Sequence, residues 1–151
     1  HAQLHRCQPG RPLPTLPPGA TVKGHRADLE QRRVLTRVLN VGRRTGAPRR
    51  VMLAVVVAVV QESGARNLRH GHGTSVGVLQ LIDLHGSVAW RLVIENSAGW
   101  FFRGAATLDT RGQSPGTIAQ RVQRSAHPDA YRRWEPEARR TLVRYLGGCR
   151  L

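Results

Sequence analysis

The chain has 151 residues, a length that fits one globular domain with a short appendage and excludes a large multidomain enzyme. Hydrophobic residues make up 40% and charged residues 22% of the chain, which excludes both wholesale disorder and a collagen-like fibre. Twenty-four Lys and Arg residues oppose nine Asp and Glu residues, giving a formal net charge of +15. The protein is therefore expected to be attracted to polyanions such as nucleic acid, anionic membranes or acidic cell-wall polymers.

The first residues of the chain are rich in proline. Five of the nine prolines fall within the first twenty residues. Proline lacks a backbone donor and favours an extended, polyproline-like conformation over a packed element. Residues 1–24 are therefore predicted to form an N-terminal arm or linker, ahead of one domain made by residues 25–151.

Two helices are predicted at the start of this domain. Asp28 is a suitable N-cap, and apolar residues then recur at helical spacing until Gly42–Gly46, where the first helix is expected to end. Pro48 fits the first turn of a second helix, which includes the valine-rich run 51–60 and ends before Gly64. The valines alone would favour a strand, but the length of the segment favours a buried helix. The run is about half the roughly 20 residues that span a bilayer, so no transmembrane segment is expected.

The rest of the chain is predicted to combine one glycine-rich element with three more helices. Residues 67–83 contain several glycines followed by alternating apolar residues, a pattern typical of a loop and a short hairpin. Further helices are predicted at about 97–108, at 114–125 with a serine N-cap followed by proline, and at 136–145. The expected fold class is therefore mainly α, with a small glycine-rich β-hairpin or loop element.

Glu62 is the principal candidate for chemistry. It lies at the end of the valine-rich helix, where apolar surroundings and the negative end of the helix dipole both raise a carboxyl pKa. Cleavage of a glycosidic bond needs such a group, because the leaving oxygen must be protonated near neutral pH. Four cationic or titratable side chains follow closely and would oppose this shift: Arg66, Arg69, His70 and His72. The alternative interpretation is a solvated glutamate at a helix end.

The residues around Glu62 carry a resemblance to a known superfamily. Goose-type lysozymes and soluble lytic transglycosylases have Glu-Ser-Gly and Ser-x-Gly-x-x-Gln signatures, which this chain resembles at 61–64, 67–68 and 75–80. Residues 119–126 and 128–131 resemble the later part of lysozyme-like modules in actinobacterial proteins and their bacteriophages. The resemblance covers about residues 28 to 146.

This resemblance implies a lysozyme-like helical domain that cleaves peptidoglycan. The enzyme would cut the β-1,4 bond between N-acetylmuramic acid and N-acetylglucosamine, as a lytic transglycosylase or muramidase, with Glu62 as general acid. The resemblance places five residues along the glycan groove: Ser75, Gly77, Gln80, Gln123 and Tyr131. For Ser75 and Gly77 the alternative is simple turn geometry, and for Gln123 it is helix packing. No cofactor is expected.

The same resemblance implies where the protein acts and with what. The expected partners are peptidoglycan glycan strands and anionic cell-wall polymers. The expected location is extracellular, at the cell wall or on a virion. The protein would act as a monomer or as a module of a larger assembly.

One stretch departs from the related modules. They tend to carry acidic residues in a Gly-Asp-x-Asp-Ser stretch, whereas here residues 71–75 contain none. An inverting hydrolase needs a second carboxylate to activate water, but a lytic transglycosylase does not, because the muramyl 6-hydroxyl attacks instead. The departure favours the route with one glutamate, or else reduced activity. Asp83, Glu95 and Asp109 stay open as second carboxylates.

The two cysteines allow two interpretations. Cys7 and Cys149 lie near opposite ends of the chain, and chain termini are often close together on a domain surface. They form either a disulfide or two unrelated thiols. Neither belongs to a C-x-x-C pair, so the cysteines do not predict zinc. His70 and His72 have the spacing of a zinc pair but lack a third ligand with a local pattern, so no metal site is expected.

Nucleic-acid binding without catalysis is the second function considered. Pairs of arginines recur along the chain, at 43–44, 49–50, 132–133 and 139–140, and such clusters can bind phosphates. However, the sequence contains no recognised nucleic-acid-binding motif, and aromatic residues for base stacking are few. No specific nucleic acid is therefore expected as a partner.

Overall fold

A computed structural model describes residues 5–151 of the chain. Six helices lie between residues 29 and 146: α1 (Leu29–Arg44), α2 (Arg49–Ser63), α3 (Val88–Arg91), α4 (Ile94–Ala106), α5 (Pro115–Gln123) and α6 (Glu135–Leu146). A two-stranded antiparallel sheet, β1 (Thr21–Val22) and β2 (His25–Arg26), precedes α1. Single 3₁₀ turns lie at Asp83–His85 and Arg132–Trp134. The prediction of a mainly α fold is confirmed.

Helix α2 forms the centre of the core. Every residue from Val51 to Val60 is buried, and the helix contacts α1, α4, α5 and α6. Its apolar residues face every direction, as in a helix enclosed by its neighbours. Pro48 lies just before its first turn, and Gly64 ends it in the left-handed conformation with φ of 61°. The prediction of a buried helix instead of a strand is therefore confirmed. None of the helices within residues 5–151 is long and apolar enough to cross a membrane.

The other helices begin at the residues that cap them. Asp28 and Gln31 form a capping box at the start of α1, with both hydrogen bonds at 2.9 Å, and Ser114 caps α5. Helix α1 ends at Arg44, within the predicted range 42–46. Gly42 still belongs to the helix, and a Cβ atom there would collide with the side chains of Met52 and Phe102. Its role is to let α1 pack closely against α2 and α4.

The short sheet lies before α1, outside the glycine-rich segment where a hairpin was an alternative. Its two-residue turn consists of Lys23 and Gly24, with φ of 52° and 79°, the positive values that a type I′ hairpin turn requires. In the glycine-rich segment one isolated bridge joins Val76 to Leu81, and the remainder is loop. Of the two predicted alternatives, hairpin or loop, the glycine-rich segment is therefore a loop.

The proline-rich segment is extended and packs against the helices. Leu13 and Leu16 are buried, although a free linker would leave such side chains in water. The Leu13 N–H donates to Asn40 Oδ1 and the Leu16 N–H to Thr36 Oγ1, both at 2.9 Å. Side chains of α1 thus replace the missing strand partner of this segment.

A disulfide joins Cys7 to Cys149, with their Cα atoms 5.2 Å apart. Beside it the buried guanidinium of Arg43 donates to backbone carbonyl oxygens from both ends of the chain. These belong to Cys7, Gln8, Arg11 and Arg150. Of the two interpretations left open by the sequence, the structure shows the disulfide.

Candidate active site

Glu62 lies at the C-terminal end of α2, where the segment that precedes α6 packs against it. The Tyr131 hydroxyl donates a hydrogen bond to Glu62 Oε1 at 2.6 Å. Three residues later, Trp134 Nε1 donates to Gln61 Oε1 at 2.8 Å. Tyr131 is fully buried, whereas Glu62 is only partly so. These two bonds fix the last turn of α2 and orient the carboxylate.

Burial raises the pKa of Glu62 above its ordinary value. The hydrogen bond from Tyr131 and the nearby Lys23 and His127 oppose this shift by favouring the charged form, but burial prevails. The direction is the one expected from the sequence. Arg66, expected to oppose it, is instead paired with Asp28 and Glu30 at 2.7 Å.

Tyr131 keeps its proton and stays a donor. Burial and the adjacent Glu62 both raise the pKa of its hydroxyl well above the usual tyrosine value. A neutral phenol beside a carboxylate donates in one direction only. Tyr131 therefore stabilises the ionised form of Glu62 throughout the physiological pH range.

Glu62 lines a cavity of about 180 Å³. Its walls include two amides, one hydroxyl and two rings, supplied by Gln80, Gln123, Ser125, His85 and Trp100. The rings of His85 and Trp100 meet edge to face, with centroids 4.9 Å apart. Amides, a hydroxyl and an aromatic face are the groups that bind the hydroxyls and apolar faces of a sugar.

The five groove residues implied by the resemblance fall into two groups. Gln80 and Gln123 line the cavity, and Tyr131 is bonded to the acid. Ser75 and Gly77 do not line it. The Ser75 N–H closes a turn by donating to the His72 carbonyl at 3.1 Å.

Gly77 is required by the path of the backbone. Its φ is +84°, and a Cβ atom there would lie 2.5 Å from the carbonyl oxygen of Arg91. Its N–H donates to the Leu68 carbonyl at 2.6 Å. The turn places Gln80 at the cavity, so Gly77 contributes to the site through geometry.

Two buried side chains hold the glycine-rich loop against the helices. Ser63 Oγ donates to the Val78 carbonyl at 2.7 Å, which ties the loop to the end of α2. The buried guanidinium of Arg91 donates to the carbonyls of Thr74 and Leu81, at 2.6 and 2.8 Å. Arg91 could not be singled out from the sequence, because an arginine in so basic a chain gives no distinguishing signal.

The cavity contains no acidic residue besides Glu62. Glu95 is paired with Arg37 at 2.6 Å and Asp109 with Arg111 at 3.0 Å. These hydrogen bonds hold the pKa of both carboxyls below their usual range. Asp83 lies in the 3₁₀ turn next to the cavity but does not line it. The three second carboxylates left open by the sequence therefore lie outside the Glu62 cavity.

Within residues 5–151, no cluster of three or more histidine, cysteine, aspartate or glutamate side chains could hold a metal ion. His70 and His72 are both exposed on the glycine-rich loop. His85 lies in the cavity, where its Nδ1 accepts a hydrogen bond from the Ile82 N–H at 3.1 Å. In a neutral ring this bond leaves the proton on Nε2, so His85 can donate to a ligand in the cavity.

A larger cavity, of about 640 Å³, lies near the N-terminal end of α2. One of its lining residues is Arg50, which lies about 18 Å along the helix from Glu62. Its acidic residue is Glu95, which is ion-paired and has a lowered pKa. It therefore offers no proton donor for acid catalysis, and size does not identify the site.

No protein-family model matches the chain, and a search of the curated proteins gives no match. The chemistry of Glu62 and the residues around it therefore carries the functional assignment.

Proposed function

We propose that this protein is a lysozyme-like glycosidase that cleaves the β-1,4 bond between N-acetylmuramic acid and N-acetylglucosamine in peptidoglycan, with Glu62 as general acid. The observation that carries the proposal is a partly buried carboxyl group that lines a cavity, has a raised pKa and is oriented by Tyr131. The resemblance of residues 61–64 and 75–80 to lysozyme and transglycosylase signatures supports the same chemistry. Peptidoglycan strands would be the substrate, and the cell wall or a virion the place of action.

The first step needs a carboxyl that is still protonated near neutral pH. Glu62 donates its proton to the bridging oxygen as the bond between that oxygen and the anomeric carbon breaks. Positive charge then develops at the sugar ring, and negative charge on Glu62. The Tyr131 hydroxyl, 2.6 Å from Oε1, stabilises the new carboxylate without leaving its place.

The second step follows from the lack of another acid in the Glu62 cavity. The acetamido group of the substrate stabilises the positive ring, and the muramyl 6-hydroxyl attacks the anomeric carbon. The Glu62 carboxylate accepts the proton of that hydroxyl, so the acid is regenerated. Because the attacking group is already attached to the substrate, its effective concentration is high. The product is a 1,6-anhydromuropeptide, and no water is consumed.

The other cavity residues would bind and orient the sugar. Gln80, Gln123 and Ser125 offer amide and hydroxyl groups, and Trp100 offers an aromatic face. The His85 ring packs edge to face with Trp100 and lines the same cavity. We expect these residues to affect substrate binding more than the protonation step.

Mass spectrometry of digested peptidoglycan tests the proposal directly. The expected fragments end in 1,6-anhydromuramic acid and are lighter by one water than ordinary reducing-end fragments. Digestion in water labelled with oxygen-18 should leave these ends unlabelled. Reducing ends that carry the label would identify a hydrolase and would require a second carboxylate to move into the cavity. No cleavage at all would overturn the glycosidase proposal.

Binding of nucleic acid without catalysis is the competing function, supported by the net charge of +15 and by exposed arginines such as Arg139 and Arg140 on α6. Not every arginine can bind a phosphate, because Arg43 and Arg91 are buried and bonded to backbone carbonyls. A positive surface also suits an enzyme that approaches anionic wall polymers. Salt-sensitive DNA binding by a protein that leaves cell walls intact would favour the competing function.

A further inference from the structure

The larger cavity near the N-terminal end of α2 has no part in the proposed reaction. Its volume of about 640 Å³ is within the range of pockets that hold one small organic ligand. Its walls come from the end of α1, the following loop, the start of α2, α4 and the segment after α4. It shares no lining residue with the Glu62 cavity, so a ligand bound there would not occupy the site of cleavage. We refer to it as the Arg50 cavity.

Part of the lining of the Arg50 cavity is apolar and buried. Three helices supply these side chains, which are Val41 of α1, Val51 of α2, and Phe102 and Ala105 of α4. The partly buried Leu108 extends the apolar lining beyond the end of α4. Apolar surface of this kind favours a ligand whose own apolar part removes it from water.

Three arginines complete the lining of the Arg50 cavity. Arg44 and Arg103 are exposed and Arg50 is half-buried. Within residues 5–151, none of the three forms an ion pair with a carboxylate. Positive charge is therefore available on the solvent side of a lining whose buried part is apolar.

Two of these arginines have a defined place in the lining. The Arg50 Nε donates to Thr110 Oγ1 at 2.8 Å, and Thr110 is buried in the same lining. This bond uses one nitrogen of the guanidinium, and the two terminal nitrogens can bind an anion. Gly99 leaves the space that Arg103 occupies, because a Cβ atom there would lie 2.9 Å from Arg103 Nη1.

The acidic residue of the lining does not cancel these charges. Glu95 accepts two hydrogen bonds from Arg37, at 2.6 and 2.7 Å, so a fourth arginine neutralises it. Arg44 acts on the same carboxyl only from a longer distance and helps to lower its pKa. The guanidinium groups of the lining therefore outnumber the acidic charge.

We infer that the Arg50 cavity binds an amphipathic anion, which is one apolar chain with a phosphate or carboxylate head. The chain covers the lining around Val51 and Phe102, while Arg50 and Arg103 bind the head. An inorganic anion would leave the apolar lining in contact with water, and an uncharged amphiphile would leave the arginines without a partner. This inference does not rest on the proposed glycan cleavage.

The same cavity gives a role to two of the arginine pairs found in the sequence, at 43–44 and 49–50. One member of each pair, Arg44 and Arg50, lines the cavity. A nucleic acid presents a row of phosphates to an extended basic surface. These arginines instead surround a concave space with an apolar lining, which matches an anion attached to an apolar body.

Calorimetric titration with dodecyl phosphate, below the concentration at which it forms micelles, tests the inference. Inorganic phosphate and dodecyl maltoside serve as the matched ligands, since the first lacks the chain and the second lacks the charge. We expect dodecyl phosphate to bind, and each matched ligand to bind weaker by about tenfold or more, because each lacks one of the two recognised parts.

Three variants locate the binding. Arg103→Gln should weaken the binding of dodecyl phosphate about fivefold, the effect of one partly exposed ion pair. Arg49→Gln removes the same charge from the exposed residue beside Arg50, outside the lining, and should leave the affinity unchanged. Gly99→Leu should abolish binding by filling the space, while circular dichroism shows an intact fold, because leucine favours a helix more than glycine does.

Four results would overturn the inference. Dodecyl phosphate might fail to bind at all, or bind no tighter than inorganic phosphate. Its affinity might also survive both Arg103→Gln and Gly99→Leu. Tighter binding of a DNA oligonucleotide, weakened by Arg103→Gln, would assign the arginines to nucleic acid. Binding to phosphatidylglycerol vesicles without binding to dodecyl phosphate would assign them to a membrane surface. None of these measurements uses peptidoglycan, so the glycosidase proposal is tested separately.

Discussion

Two glutamates, Glu137 and Glu62, show how the fold distinguishes a structural carboxylate from the proposed acid. Glu137, on α6, is 5% exposed and accepts three hydrogen bonds around the hairpin turn. Its donors are Thr21 Oγ1 at 2.9 Å and the N–H groups of Lys23 and Gly24 at 2.8 Å. Consecutive backbone N–H groups in such a turn form a small anion site. Both oxygens of Glu137 therefore accept hydrogen bonds from the protein.

Glu62, at the end of α2, accepts fewer hydrogen bonds than Glu137. One of its oxygens accepts from Tyr131, and its side chain lines an open cavity. Burial raises its pKa, because one donor does not replace the water that is lost. Burial alone therefore does not mark a functional acid. What distinguishes Glu62 is a carboxyl left short of donors beside a space that a substrate can enter.

The largest expected effect is the loss of activity in Glu62→Gln. Glu62→Gln should lower the rate of peptidoglycan cleavage by about 10² to 10⁴, the usual contribution of a general acid, because an amide cannot supply the proton. Circular dichroism should show an unchanged fold. The matched control is Glu30→Gln, an exposed glutamate on α1, which should cleave at the parent rate. A Glu62→Gln protein within a few-fold of the parent would mean that another group is the acid.

The next largest effect is the loss of stability in Glu137→Gln. Glu137→Gln should lower the free energy of unfolding by about 2 kcal/mol, because three donors lose a charged acceptor in a buried place. Denaturation by urea measures the change. Glu30→Gln again serves as the control, since an exposed ion pair contributes about 1 kcal/mol or less. If the two variants were equally stable, Glu137 would not anchor the hairpin.

Tyr131→Phe removes the hydroxyl that donates a hydrogen bond to Glu62. Without that hydrogen bond the pKa of Glu62 should rise further, because the charged form loses its partner. The protonated acid then persists to higher pH, so the alkaline side of the profile of kcat/KM against pH should move upward. At acid pH the rate should change by about tenfold or less, the usual effect of losing one hydrogen bond. A profile that stays in place would show that Tyr131 only fills space.

The smallest effect is a gain in stability from Glu62→Gln. A carboxyl whose pKa is raised on folding contributes stability below its unfolded pKa and loses it as the pH rises through the folded value. The glutamine variant does not titrate, so its melting temperature should exceed that of the parent at neutral pH. The difference should disappear at a pH below the ordinary glutamate pKa. Thermal melts at both pH values measure it, and a difference that does not depend on pH would contradict the burial of a charged Glu62.

Most of the helical fold could be predicted because its signals are local. The caps Asp28 and Ser114 and the terminator Gly64 act within a few residues of themselves. The hairpin could not be predicted, because the prolines around it favour extended chain and its Lys23-Gly24 turn lacks the usual asparagine or aspartate.

The site could be predicted only in part, because its residues come from distant parts of the chain. Glu62 has a local signal at the end of an apolar helix. Its partner Tyr131 lies 69 residues away, and His85 and Trp100 reach the cavity from two further segments. No periodicity or spacing connects such residues, since tertiary packing alone brings them together. For the same reason, the sequence could not predict that Lys23 lies close to Glu62.

The bond between Cys7 and Cys149 also determines how the protein responds to mechanical load. The two residues lie 142 positions apart in sequence, and helices α1 to α6 lie between them. A tension applied to the chain outside these two residues passes through the covalent bond and bypasses the helical core. The domain can therefore be pulled at both ends without unfolding around Glu62. Reduction of the disulfide would place the same force on the helices.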